Sequence, residues 1–472
     1  MKDLIIGKRI YTLEDQNFFA DCVGDWNPIH LDANSSRRSL TGDVIVHGMH
    51  VVLDAMEYVA KNKFFNSYTL KRINIKFLKP VFLNQELNFF INLDGKSFIE
   101  LKILYKKENC INIKLEIGSK NNDLSNKTEE ISLPIKYKPD IFDFKNNINK
   151  QFSFEINCQK NLLIKNFNFS ASIFGEQFVV TCAQLSQLVG MHCPGLYSLF
   201  SSVDIFSNDN KKNQSISKKF NYSIINYSET FKRVKIKFKS FSYSGNVIAF
   251  VRPKPLLQPT ISEVQKIIKR KSFNDRRCLI IGGSRGVGEV TSKILAVGGA
   301  DVLLTYNRGQ KEANSIVKSI RSKGYKSNSI FFNVQKMSSL DSLIEWAPTH
   351  LYYFATPYIF SGSKTYFSED FYKKLSTFYV FRFHELAERL IENGLKYIFY
   401  PSSVALDELP LDMVEYCAAK SAGEFICKAL QKKYTSILID KPRLPRLLTD
   451  QTSSLLPIHS ECPLKVMHNL II

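Results

Sequence analysis

The stretch 24–30 reads GDWNPIH. On a continuous helix, two residues five apart, such as Asp25 and His30, point about 140° away from each other. Asn27 and Pro28 work against that continuity, since proline lacks an N–H and asparagine hydrogen-bonds its own backbone. A turn is therefore predicted, and a turn can aim a carboxylate and an imidazole at one point. The same pair also fits a helix-capping Asp and a buried, hydrogen-bonded His, so the flanking chain has to separate chemistry from packing.

Working outward, VHGMHVVLDAM (46–56) sets Gly48 at the head of an apolar helical run. Segments 70–93, 96–107 and 110–118 then alternate apolar and polar residues, as antiparallel strands with one wet face do. A weaker copy of this texture occupies 136–258, with an apolar helical run at 176–206 and strand-like 231–244 and 246–253. Gly195 in MHCPGLYS stands where Gly48 stood, but no Asp-x-x-x-x-His precedes it. This half is expected to be a catalytically silent duplicate that forms one wall of a pocket. A second site using His192 or Cys193 would need a partner acid, and none is visible in the sequence. The polar stretch 207–219 is expected to be a surface loop.

Residues 19–36 (FADCVGDWNPIHLDANSS), followed by VIVHGMH (44–50), resemble the signature of MaoC-like (R)-specific enoyl-thioester hydratases, over roughly residues 8–115. Val23 replaces the small polar residue usual there, and the Gly-Asp-x-Asn-Pro-Ile-His core is intact. The resemblance implies a hot-dog fold, a curved antiparallel sheet around a central helix. It implies Asp25 and His30 as the acid/base pair that adds or removes water at an α,β-unsaturated thioester. It also implies Gly48 at a helix N-terminus, where backbone donors can meet the developing enolate oxygen. Which of Asp25 and His30 is acid and which is base stays open. His47 and His50 read as packing or cleft residues.

After a Pro-bounded basic segment (252–277), the texture changes to apolar β-branched runs alternating with helical patterns, the mark of parallel βαβ units. LIIGGSRGVGE (279–289) places Gly282, Gly286 and Gly288 between a strand and a helix, with Gly283, Ser284, Arg285 and Val287 completing a loop suited to a diphosphate. Further on, Ser403 is followed thirteen residues later by Tyr416 and four after that by Lys420. Tyr and Lys at i, i+4 share a helix face, and a nearby ammonium lowers a phenol's pKa. These motifs resemble short-chain dehydrogenases/reductases. The resemblance implies Ser403, Tyr416 and Lys420 as catalytic residues and Asn333 as a further cofactor contact. Arg308, where an acidic residue would select NAD, together with Arg285 points to NADPH. Three departures stand out: FATP (354–357) where an Asn-Asn-Ala-Gly-like strand end is usual, no relay Asn near Ser376, and a short domain.

At 472 residues the chain needs more than one core. The expected architecture is a multidomain chain: an N-terminal α+β double hot-dog (1–135 catalytic, 136–258 non-catalytic), a basic linker (259–275), and a C-terminal α/β Rossmann domain of short-chain dehydrogenase type (276–472). Nine cysteines without a CxxC pair and eight histidines without an HxxxH argue for free thiols, no disulfide frame and no metal site. No apolar run is long enough for a signal peptide or a membrane span, so a cytoplasmic, membrane-free protein is expected. The net charge of +20 suits anionic partners: a nucleotide cofactor, an acyl-CoA, or an acidic acyl-carrier protein. No nucleic-acid recognition motif accompanies the charge. A homo-oligomer is expected. The two chemistries are adjacent: reduction of a 3-oxoacyl thioester, then dehydration of the 3-hydroxyacyl product to a trans-2-enoyl thioester.

Overall fold

The computed structural model describes residues 4–62, 68–92, 98–119, 135–207, 219–269 and 271–471; most of the expected 207–219 loop lies outside them. The chain divides into two compact units, Met1–Lys254 with Ser454–Pro457, and Pro255–Ser453 with Ile458–Ile472. This corrects the expected boundaries in two ways. The stretches 1–135 and 136–254 are one unit, and 255–258 fall in the second. The expected linker 259–275 belongs to the second unit, because Ile261, Val264, Ile268 and Phe273 are buried in its core.

In the first unit, ten strands form one sheet: β1 Leu4–Ile10, β2 Tyr68–Phe77, β3 Glu86–Asn92, β4 Phe98–Tyr105, β5 Glu108–Ser119, β6 Gln151–Glu155, β7 Ser198–Ser207, β8 Lys219–Ser228, β9 Arg233–Ser240 and β10 Tyr243–Val251. Their order is β1-β3-β4-β5-β2-β7-β10-β9-β8-β6. Read outward from the β2–β7 seam, each half runs second, fifth, fourth, third, first of its own five strands. The seam is antiparallel and is clamped by Arg72, whose guanidinium holds both carboxylate oxygens of Asp204 at 2.8 and 2.7 Å. Period-two alternation is clean in β9, where Val234, Ile236 and Phe238 face inward and Lys235, Lys237 and Lys239 face water.

Each half of the sheet packs a largely buried helix into the core. In Gly48–Lys61, Val51, Val52, Leu53, Met56 and Val59 keep no exposed surface, each worth roughly 1.5–3 kcal/mol of burial. In Glu176–Gln187, all residues after Glu176 are buried. The second helix is buried all round although it carries Gln177, Thr181, Gln184, Ser186 and Gln187, so its polar side chains need partners inside the unit. Both halves contribute to one continuous core.

The second unit carries a six-stranded parallel sheet: β11 Arg277–Ile281, β12 Asp301–Tyr306, β13 Ser327–Phe331, β14 His350–Tyr353 and β15 Tyr397–Phe399, followed, past the short β16 Ser402–Ser403, by β17 Leu438–Asp440. Its order is β13-β12-β11-β14-β15-β17, while β16 pairs with β18 Arg443–Leu444. The order reverses between β11 and β14, the switch point where open α/β sheets leave a crevice at the strands' carboxyl ends. Among the described residues no helix is long and apolar enough to cross a membrane.

Candidate functional sites

The helix Leu13–Val23 ends at Gly24, in the left-handed region at φ 76°. The chain then turns, and Asn27 caps the single helical turn Pro28–Leu31 by accepting from Ile29 N at 3.2 Å. Asn27 also reaches across the unit, its Nδ2 donating to Gly190 O at 2.8 Å and Gly195 O at 3.0 Å. The turn predicted from Asn-Pro is thus bolted to the second half.

Asp25 lies buried at the bottom of this turn. Its Oδ2 accepts from Ser186 Oγ at 2.7 Å and its Oδ1 from Asn27 N at 3.2 Å. Burial pushes the carboxyl up to about 7, against the pull of these two donors. The carboxylate sits on Gly190, in the π-helical turn Leu188–His192, where a Cβ would come within 2.1 Å of Asp25 Oδ1. His30 places Nδ1 at 2.8 Å from the Ile45 carbonyl, so Nδ1 carries the proton and Nε2 a lone pair. Burial pushes this imidazole down to about 4, leaving it neutral at pH 7.

His47, expected as a packing or cleft residue, is the third member. Its ring stacks on His30 at 3.9 Å and 26°, and its Nε2 lies 3.1 Å from Asp25 O and 3.9 Å from Asp25 Oδ2. Side-chain atoms of Asp25, His30 and His47 all fall within 4.8 Å of one another. A cleft opens onto Asp25 and His30, walled by Val51, Phe77 and Ile111 from the first half and Val189, Leu199, Phe200 and Phe250 from the second. Gly48, first residue of its helix, lines it; a Cβ there would lie 2.6 Å from the Phe77 ring. Its N–H belongs to the terminal turn, which has no intrahelical acceptor.

His192 does have an acid beside it: Asp140 Oδ2 lies 3.3 Å from Nδ1, and Tyr137 OH lies 2.9 Å from Nε2. Both ring nitrogens are engaged and the ring stacks on Phe154 at 4.3 Å, which makes this a packing element. Cys193 is buried, and burial pushes its thiol far above the usual range.

In the second unit the glycine loop follows β11 and opens the helix Gly286–Val297. Gly282 (φ 84°) and Gly286 (φ 58°) take conformations that L side chains avoid, and a Cβ on Gly288 would lie 2.3 Å from Gly282 O. Gly282 N donates to Thr305 Oγ1 and Gly283 N to Thr305 O, each at 3.0 Å, which ties the loop to β12. Ser284, Arg285 and Val287 occupy the loop and first helical turn, and Arg308 follows β12. Asn333 closes a local turn, its Oδ1 accepting from Gln335 N and Lys336 N at 2.9 and 3.2 Å.

Ser403 and Tyr416 come together, and a hydrogen bond from Ser403 favours the ionised phenol. Burial outweighs it and pushes Tyr416 up to about 12. The expectation that Lys420 lowers this phenol is corrected. Lys420 Nζ donates to Pro401 O at 2.6 Å and lies 4.0 Å and 4.7 Å from the ring centres of Tyr379 and Tyr400. Burial pushes this amine down to about 7. Tyr379 belongs to a π-helical turn, Thr377–Phe381, close to where a relay Asn was sought. Two carbonyls of that turn are taken by tyrosines: Tyr353 OH donates to Phe378 O at 2.7 Å and Tyr400 OH to Tyr379 O at 3.1 Å.

Residues 7–110 match the MaoC like domain family and residues 276–354 the short chain dehydrogenase family. The second match ends before Ser403, Tyr416 and Lys420. A 3-hydroxyacyl-[acyl-carrier-protein] dehydratase, mitochondrial, from Arabidopsis thaliana is 27% identical over 85 residues, 18% of this chain and 50% of that protein. The chain thus spans about half the length of this curated relative. Among solved structures, a putative short chain dehydrogenase from Escherichia coli complexed with NADPH is 16% identical with a TM-score of 0.40, covering 43% of this chain and 92% of that one. A short chain dehydrogenase from Burkholderia cenocepacia in complex with NADP is 22% identical with a TM-score of 0.35, covering 38% and 77%. The angucycline C-6 ketoreductase LanV with bound NADP is 18% identical with a TM-score of 0.36, covering 39% and 77%. The chain joins a MaoC-like domain at its N-terminus to a short-chain dehydrogenase domain at its C-terminus.

Proposed function

We propose that this chain processes the β-carbon of acyl thioesters at two sites: (R)-specific hydration and dehydration between 2-enoyl and 3-hydroxyacyl thioesters, and NADPH-dependent reduction of the 3-oxoacyl thioester. The observation that carries the reading is the convergence of buried Asp25 and half-buried His30 on a cleft with apolar walls from both halves. The matching strand orders of those halves support a double hot-dog whose second copy supplies a wall of the cleft and lacks the Asp-x-x-x-x-His motif. Asp25 and His30 bracket one water. His30 Nε2 takes the water's proton as its oxygen bonds to C3, and that proton is returned to C2, so none is consumed. Dehydration is the reverse. The terminal N–H at Gly48 is placed to meet the thioester oxygen as charge develops on it.

In the C-terminal domain the residues present fit a dinucleotide: two left-handed glycines, no room for a Cβ at Gly288, and a twelve-residue helix behind the loop. Gly282–Gly288 would hold the diphosphate, and Arg285 and Arg308 a ribose phosphate. Bound there, NADPH supplies a hydride. Tyr416, held protonated by burial, donates its proton to the substrate carbonyl oxygen, and Ser403 orients that oxygen. Tethering the two sites in one chain raises the local concentration of the shared 3-hydroxyacyl intermediate.

A second reading, a nucleotide-binding half that docks an acyl carrier without turning over, is favoured by Lys420, whose ammonium is turned to Pro401 O. One experiment separates the two. Crotonyl and acetoacetyl thioesters, on CoA and on carrier protein, are offered to wild type, Asp25→Asn and Tyr416→Phe. Each variant should lose one activity and keep the other; loss of neither removes the bifunctional reading, and no NADPH oxidation by wild type leaves the docking one.

A further inference from the structure

The ring of His47 is buried between oxygens. Its backbone N–H donates to Gln16 Oε1 at 2.9 Å, and because a backbone N–H can only donate, that atom must be the amide oxygen. His47 Nδ1 lies 2.9 Å from the same oxygen and therefore also carries a hydrogen. The amide nitrogen of Gln16 then faces His50 Nδ1 at 3.4 Å, so His50 keeps its own proton on Nε2, toward Asp54. On the other side, His47 Nε2 faces the Asp25 carbonyl at 3.1 Å, another group that can only accept. A neutral imidazole has one N–H and would set a lone pair against one of these oxygens. Two N–H groups satisfy both.

We infer that His47 is an imidazolium that holds the site's resident proton on Nε2, and that it is a positioning residue which keeps Asp25 ionised and His30 neutral. Burial by itself pushes the His47 imidazole well below its usual range, and the two acceptor oxygens oppose that push; the proton that burial of Asp25 retains at this site up to neutral pH then sits on His47 and not on the carboxyl. The ionisable groups facing His47 are Asp25 and His30 from the Gly24–Leu31 turn and His50 from its own helix. Beyond these lie Asp54 and Arg9, past His50, and Arg252, past His30. A cation stacked at 3.9 Å on His30 opposes a second positive charge there, which leaves His30 Nε2 free to act as the base.

The inference deepens the hydratase reading, but its first test does not depend on activity. Full-length protein labelled with ¹⁵N-histidine should show, at pH 7, one histidine with both ring nitrogens protonated. That signature should be absent at pH 7 in Asp25→Asn, where the anion is gone. In Gln16→Met, which removes the acceptor at Nδ1, His47 should become a neutral Nε2–H tautomer. This variant also identifies the signal if His47→Gln fails to fold. A wild-type His47 with one bare nitrogen at pH 7 overturns the inference. In the kinetic arm, His47→Gln should lower kcat/KM for crotonyl-thioester hydration about tenfold at pH 6 with KM nearly unchanged, and much less at pH 9. An equal loss at both pH values overturns the positioning role. Wild type without any hydration removes the hydratase reading while the ¹⁵N result stands.

Discussion

Ser186 donates its hydroxyl hydrogen to Asp25 Oδ2 at 2.7 Å, and the two residues come from opposite halves of the first unit. The half that lacks the Asp-x-x-x-x-His motif therefore supplies part of the first half's acid. A hydroxyl donating to a buried carboxylate favours the charged form, by roughly 1.5–3 kcal/mol for a charge-assisted bond. Ser186→Ala should move the limb of the hydration pH profile that reports Asp25 to higher pH. Activity should fall about tenfold on its acid side and recover on its alkaline side. A pH–rate profile with crotonyl thioester tests this, and a uniform loss at every pH would assign Ser186 to folding alone.

Gly190→Ala probes the other contact on the carboxylate. With a Cβ 2.1 Å from Asp25 Oδ1, the carboxyl must shift by an ångström or more, and misplacement of that size costs ~100-fold in rate. Because Gly190 has no left-handed φ, the backbone itself tolerates alanine. The expected outcome is a folded protein by circular dichroism with kcat for hydration reduced about a hundredfold and NADPH-linked reduction unchanged.

Burial of Asp25 also couples stability to pH. The Asp25–His47 pair, whose shared proton burial of the carboxyl holds up to about 7, contributes stability that is fully present below the carboxyl's unfolded pKa and lost as pH rises through 7. His30, lowered to about 4, has the opposite sign: its contribution is present above its unfolded value and lost as pH falls through 4. Asp25→Asn removes the first dependence and keeps the second. Its Tm should exceed that of wild type at pH 8 by a few degrees, at ~2–4 °C per kcal/mol, and the gain should shrink toward pH 4. Calorimetry at four pH values measures it; a constant difference would mean that Asp25 does not titrate on unfolding.

The part of this site legible in the sequence is the part built by neighbours in the chain. Asn27 and Pro28 announce the turn, Gly48 the helix start, and the spacing of Tyr416 and Lys420 one helix face. Ser186 and Gly190 are invisible at that level, because the β2–β7 seam brings them to Asp25 from more than 160 positions away. The role of His47 rests on the Gln16 amide's orientation, which no spacing encodes. Proline and lysine suggested a linker at 259–275, yet Ile261, Val264 and Ile268 already carry the i, i+3, i+7 pattern of a buried helix face. Lys420's neighbours were missed because the π-helical turn at Thr377–Phe381 has no sequence mark, and it brings Tyr379 over the ammonium.

Arg308 gives the sharpest test of the cofactor. It follows β12, whose Thr305 anchors the glycine loop through both its hydroxyl and its carbonyl, which fixes the loop beside the end of β12. A guanidinium there favours a 2′-phosphate by charge-assisted hydrogen bonds, whereas a carboxylate repels it and accepts from ribose hydroxyls. Arg308→Asp should reverse the preference between NADPH and NADH by at least ~10-fold, each charge-assisted bond being worth roughly 1.5–3 kcal/mol. Dissociation constants for both nucleotides, measured by fluorescence titration on full-length protein, read this whether or not the domain turns over. An unchanged ratio would move the phosphate site elsewhere, with Arg285 the next residue to substitute.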